Sequence, residues 1–157
     1  MKIYNMKIFI QIACKKTFFF PKKKFFLLWL KTIFKKKKIE TTIRLVSIKE
    51  IRCLNKKYRS KNIPTNVLSF PSTKTINQKH HFPFYIGDII LCPPYINKEA
   101  LFLKKKKIEH WAHIVIHSTL HLLHYEHNND ISKKKMQKIE KKIMLKLNYN
   151  NPYSYNF

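Results

Sequence analysis

The chain has 157 residues, with 33 Lys and Arg against 8 Asp and Glu, a formal charge of +25. That length suits one domain that buries most of its apolar surface without disulfide staples, and the charge favours polyanionic partners, nucleic acid foremost. A single glycine, where ~7 per cent is usual, marks a vocabulary shifted toward Lys, Asn, Ile and Phe, so part of the positive excess reflects composition rather than function.

Residues 3–13 read as an edge-tolerant strand, and Pro21 then opens a helix whose apolar positions Phe25, Phe26, Trp29 and Ile33 repeat at helical spacing until the run Lys35 to Lys38. β-Branched residues return from Thr41 to Ile48, a second strand with Ile43, Leu45 and Ser47 on one face and Thr42, Arg44, Val46 and Ile48 on the other. Lys49 to Tyr58 forms a short helix on Ile51, Leu54 and Tyr58. The polar segment Arg59 to Asn66, with Pro64 inside, is a loop that delivers the strand Val67 to Phe70, stopped by Pro71.

Ser72 to Pro83 has no periodicity and reads as a loop. Tyr85 to Cys92 is a buried strand carrying one charge, Asp88, which reads as a structural carboxylate rather than one that orients a ligand. Pro93-Pro94 ends it. An amphipathic helix follows from Ile96 to Ile108, with Lys104 to Lys107 near its end, then helices from about Glu109 to His124 and from about Ser132 to Leu147. Strands interleaved with helices predict an α/β or α+β domain spanning 1–157, with about four strands covered by about five helices. The four-lysine runs read as solvated helix ends before nucleic-acid contacts.

Cys14, Cys53 and Cys92 are odd in number, scattered and without a CxxC pair, which favours a reduced cytoplasmic setting. The longest apolar run, residues 25–30, falls far short of the ~20 residues a membrane span needs. Ala13-Cys14 has a faint likeness to a lipoprotein cleavage site, but the stretch before it is short and carries Gln11, so no membrane association is expected.

The chemistry concentrates in HSTLHLLHYEH, residues 117–127. His117 and His121, one turn apart, stack two imidazoles on one helical face. On a helical wheel His110, His113, His117, His121 and His124 fall within about 80° of one another on an otherwise apolar helix. For one buried histidine, hydrogen bonding is the ordinary explanation; five on one face favour a metal, since each unpartnered imidazole would be costly. Residues i and i+8 lie ~12 Å apart along a helix, so His113, His117 and His121 cannot share one ion. His117 and His121 completed by His127, beyond a helix end where the chain turns back, is the set that works. Three neutral imidazoles leave a fourth tetrahedral position of Zn2+ open, as in catalytic sites. His113 and His124 then support or pack, His110 is expected at the surface, and His80 and His81 are expected in solvent. A metallopeptidase of HExxH type would need a glutamate where Ser118 stands, and Glu126 lies outside the helix.

HSTLHLLHYEH resembles the HGxLHLxGYDH signature of the YbeY family, bacterial endoribonucleases of rRNA maturation. Leu54-Asn55, Tyr58-Arg59, PTNVLSFP at 64–71, IGDIILC at 86–92 and the tail IEKKIMLKLNYNNPY match the same pattern in order and spacing, over most of the chain from about residue 40. The resemblance implies a compact α/β domain with a small mixed sheet and zinc in a basic groove. It makes His117, His121 and His127 the ligands of one Zn2+ and Arg59 the catalytic residue that grips the scissile phosphate, a task suited to a bidentate guanidinium. It implies cutting of single-stranded RNA, formation of the mature 3′ end of small-subunit 16S rRNA, and ribosome quality control. Small-subunit rRNA and the ribosome are thus implied partners, with room for a ribosomal-protein or GTPase partner. Ser118 and His124 replace family glycines, Glu126 replaces an aspartate and Asn66 stands where many members have Asp; histidine at a left-handed cap at 124 would cost of order 1 kcal/mol. Lys57 and Lys61 are candidates to track the RNA backbone. The rival expectation is a non-catalytic, zinc-stabilised rRNA-binding or assembly factor.

Overall fold

A computed structural model describes residues 6–73 and 83–154, so the expected loop over 72–83, with His80 and His81, lies largely outside the described residues. In chain order the elements are β1 (Lys7–Ala13), α1 (Lys23–Phe34), β2 (Ile39–Val46), α2 (Ile48–Arg59), β3 (Val67–Pro71), β4 (Phe84–Leu91), α3 (Pro93–Phe102), α4 (Lys107–Leu122) and α5 (Asp130–Lys146). The sheet order is β1-β2-β4-β3, with β1, β2 and β4 parallel and β3 antiparallel to β4. This is the mixed four-strand, five-helix α+β arrangement that the pattern of elements predicts.

One face of the sheet makes the main core. Ile43 and Leu45 of β2 and Ile89 and Leu91 of β4 pack with Phe26, Trp29 and Leu30 of α1 and Trp111, Val115 and Leu120 of α4. Full burial of such side chains is worth ~1.5–3 kcal/mol each. α4 touches α1, α3, α5, β3 and β4, which is why its sequence is apolar almost all round. The other face is covered where Ile51 and Leu54 of α2 meet Val46, Leu68, Phe70 and Ile90.

Element ends differ from the sequence expectation for local reasons. β2 stops at Val46 because Ser47 turns to cap α2, its Oγ accepting from the Glu50 N–H at 3.2 Å. Pro93 and Pro94 open α3 rather than merely ending β4. α3 closes at Phe102, left-handed Lys104 reverses the chain, and the tetralysine becomes the connector into α4 instead of the end of a longer helix. Asn129 and Ser132 form a reciprocal capping box that starts α5 early.

The lone glycine has no substitute. Gly87 sits beside a β-bulge, where β4 skips Ile86 between the partners of Glu40 and Thr41, and its φ is +129°. A Cβ there would meet the Phe70 carbonyl oxygen at 2.2 Å. Thr41 Oγ donates to the Gly87 carbonyl at 2.7 Å, sealing the bulge. Elsewhere the chain does without glycine: Lys35, Ser60, Lys104, His124 and Asn148 all take positive φ just after the five helices.

Candidate metal centre

The end of α4 builds the site. His124 adopts φ +65° and donates its N–H to His121 O at 2.9 Å, while Tyr125 N–H reaches back to Leu120 O at 3.0 Å. This paired closure ends the helix and folds the chain toward its last turn. His127 is thereby returned to His117 and His121: the ring centroids lie 4.6 Å apart for 117–121, 4.9 Å for 121–127 and 5.8 Å for 117–127. One nitrogen from each ring lies within 4.8 Å of the others, so the three could hold a metal ion.

The hydrogen bonds orient two of these rings. His121 Nδ1 lies 2.9 Å from the Tyr125 carbonyl oxygen, which can only accept, so Nδ1 carries the proton. His117 Nδ1 likewise donates to Glu140 Oε1 at 2.5 Å. The two Nε2 atoms face each other at 3.0 Å, and with both rings neutral each presents a lone pair. Two neutral imidazoles cannot satisfy that contact; a cation between them can. Burial, then the neighbouring His117 and His127, holds the His121 pKa below its usual value and keeps the ring neutral, as a ligand must be.

Behind the three histidines stands a buried acid. Glu140 of α5 is 1% exposed. Burial pushes its carboxyl up, but hydrogen bonds with His113, His117 and Tyr153 outweigh this and hold it down to about 2, so it is ionised. Tyr153, from the tail, donates its hydroxyl to Glu140 Oε2, and His113 Nε2 lies 3.3 Å from that hydroxyl. A carboxylate fixing the far nitrogen of an imidazole is how metal-binding histidines are oriented. Sequence reasoning missed Glu140 and Tyr153 as parts of the site. The available signal was an acid midway between Met136 and Met144 on the buried row of α5.

The histidines open onto a cleft of about 1040 Å³, walled by the end of α2, β3, α4 and α5. Exposed Arg59, the last residue of α2, lines it with His117, His121 and His127, as do Tyr58 and Lys133. Lys57 and Lys61 are exposed near that wall. His113 and His124 also face the cleft.

His110 departs from expectation. It is 3% exposed rather than at the surface, because α3 packs on the first turns of α4 and supplies Glu99, whose Oε2 accepts from His110 Nε2 at 2.7 Å. Asp88 lies on the sheet face away from the histidines, half-buried and bonded by the Tyr85 hydroxyl. Ser118 is fully buried and turns its hydroxyl to the Ile114 carbonyl at 2.9 Å, so no base stands at the position where a peptidase of this ligand spacing needs one. Glu126 is exposed and accepts from the Asn128 amide.

The residues present fit a divalent ion: three imidazoles converge beside an open cleft. The family model described as Endoribonuclease YbeY matches residues 13–148. Proteins named Endoribonuclease YbeY are similar at high identity: that of Buchnera aphidicola subsp. Cinara cedri is 68% identical over 149 residues, covering 95% of this chain and 96% of its own, and that of Buchnera aphidicola subsp. Acyrthosiphon pisum is 47% identical over 151 residues, covering 95% and 96%. The solution structure of a Thermotoga maritima protein shares the fold, with a TM-score of 0.54 and 24% identity over 94% of this chain and 99% of that one.

Proposed function

The chain belongs to the YbeY endoribonuclease family, and from that premise we propose that it is a zinc-dependent, single-strand-specific endoribonuclease that matures the 3′ end of 16S rRNA and acts in ribosome quality control in the cytoplasm. The observation that carries the zinc assignment is the convergence of the His117 and His121 Nε2 atoms, 3.0 Å apart, with His127 closing the set. When bound, zinc would supply a Lewis acid and acidify a coordinated water toward pKa ~7.

The chain's own groups do the rest. Glu140 and the Tyr125 carbonyl fix the proton of each helical imidazole on Nδ1, so neither ring must reorganise when the ion arrives. Arg59 lines the α2 wall of the cleft that also holds the histidines, and its fork grips two non-bridging oxygens of the scissile phosphate as charge grows there. The +25 charge steers RNA to this wall, and Lys57, Lys61 and Lys133 add contacts to the backbone.

Three free cysteines and the lack, among the described residues, of a helix long and apolar enough to cross a membrane are compatible with this setting. The test is to incubate the purified, zinc-loaded chain with a single-stranded precursor of the small-subunit rRNA 3′ end and map the products. Cleavage by the parent, lowered about 10²–10³-fold in Arg59→Glu with full zinc, supports the assignment. A zinc-loaded parent that binds this RNA and never cuts it favours the non-catalytic assembly factor.

A further inference from the structure

One aromatic ring in the cleft is used by nothing described so far. Tyr58 is 56% exposed and lines the same cleft as the three histidines. It is also held in place. Its ring stands edge-on to Phe70 of β3, with centroids 5.0 Å apart and planes at 70°. Phe70 in turn packs against the cluster of Val46, Ile51, Leu68 and Cys92. The α2 end that carries Tyr58 is closed by left-handed Ser60, whose N–H reaches Lys56 O at 3.1 Å, while Lys61 N–H reaches Asn55 O at 3.3 Å.

That single tilted contact with Phe70 leaves more than half of the tyrosine open to solvent. Lys57 Nζ stands over the ring, 5.2 Å from its centroid, on an exposed side chain; a stacking base takes that place and the ammonium moves to the phosphate beside it. The next residue is Arg59. A stacked base would therefore bring its own phosphate to the guanidinium and the flanking lysine.

We infer that Tyr58 is a nucleobase-stacking platform: an unpaired base of the RNA lies on its ring and sets the adjoining phosphodiester against Arg59, in front of the histidines. The inference rests on the reading of the cleft as a single-stranded RNA site and adds what selects single strands there. A base within a duplex has both faces covered and cannot use the ring, whereas any unpaired base can. Positive charge alone makes no such distinction.

The zinc-loaded protein is titrated with two cleavage-resistant strands of about ten nucleotides, a 2′-O-methyl phosphorothioate oligoadenosine and an abasic strand of the same length and charge. Tyr58→Leu should weaken adenosine-strand binding by about tenfold and leave the abasic strand unchanged. Tyr58→Trp should bind the adenosine strand and lose tryptophan fluorescence on binding; Trp29 and Trp111 are fully buried, so that signal belongs to the new ring. Equal loss for both strands, unchanged affinity in Tyr58→Leu, or an unquenched Tyr58→Trp complex would each overturn the platform. If Tyr58→Leu fails to fold, the Tyr58→Trp quench decides alone. A parent protein that binds neither strand removes the RNA reading of the cleft, and the platform falls with it.

Discussion

His117 Nδ1 donates to Glu140 Oε1 at 2.5 Å, tying a cleft-lining imidazole on α4 to a buried carboxylate on α5. The bond fixes which nitrogen of His117 faces the cleft, and Tyr153 occupies the other oxygen of the same carboxylate. Removing the acid frees the ring to rotate and to take the wrong tautomer. Glu140→Ala should therefore lower zinc affinity by about 10–100-fold, read by competition with a chromophoric chelator. Unchanged affinity would mean that the carboxylate only supports the fold.

Arg59 is exposed at the cleft wall and makes no hydrogen bond or ion pair with the three histidines, so reversing its charge should leave zinc content and thermal unfolding near the parent's. Cleavage should fall by about 10²–10³-fold, the usual loss for one electrostatic group at a developing charge. Single-turnover rates with excess enzyme measure this. A variant that cuts as fast as the parent would remove Arg59 from the chemistry.

Backbone conformation gives opposite expectations at two positions. His124 is held at φ +65°, a region glycine occupies without penalty, so His124→Gly should raise stability by about 1 kcal/mol in urea unfolding. Gly87→Ala should do the reverse by more than that, since its Cβ would lie 2.2 Å from the Phe70 carbonyl oxygen and 2.9 Å from Pro71 Cα and Ser72 N, all rigid backbone. Equal stability of Gly87→Ala and parent would contradict the close approach of β3 and β4.

Acid should weaken the α3–α4 junction. Burial pushes the Glu99 carboxyl up, but hydrogen bonds from His110 and Asn66 prevail and hold its pKa below the ordinary 4.5. A depressed carboxylate contributes stability above its unfolded pKa and loses it as pH falls through the lower folded value. Unfolding free energy of the parent should thus drop as pH is lowered below about 4.5, and Glu99→Gln should flatten that part of the profile. Identical profiles would show that Glu99 contributes nothing.

Much of this was legible in the residues. Periodicity 3.6 marked α1, α4 and α5, and β-branched runs marked β2 and β4, because those elements bury one kind of face against the core. Ends were less legible: Ser47 and Asn129 act through caps, and the tetralysine reverses the chain through a conformation that lysine rarely takes. Spacing brought out His117, His121 and His127 because two are set by helical geometry and the third by one helix end. Glu140, Tyr153 and the Glu99–His110 pair depend on which helices pack together, which no local pattern encodes.

The most direct test of a metal-dependent hydrolytic site is zinc titration joined to cleavage. The purified chain, stripped by a chelator, should cut no single-stranded rRNA precursor, regain cleavage as zinc is returned to one ion per chain, and lose both zinc and cleavage in His121→Ala. Undiminished cutting by the stripped protein, or by His121→Ala with no bound zinc, would contradict it.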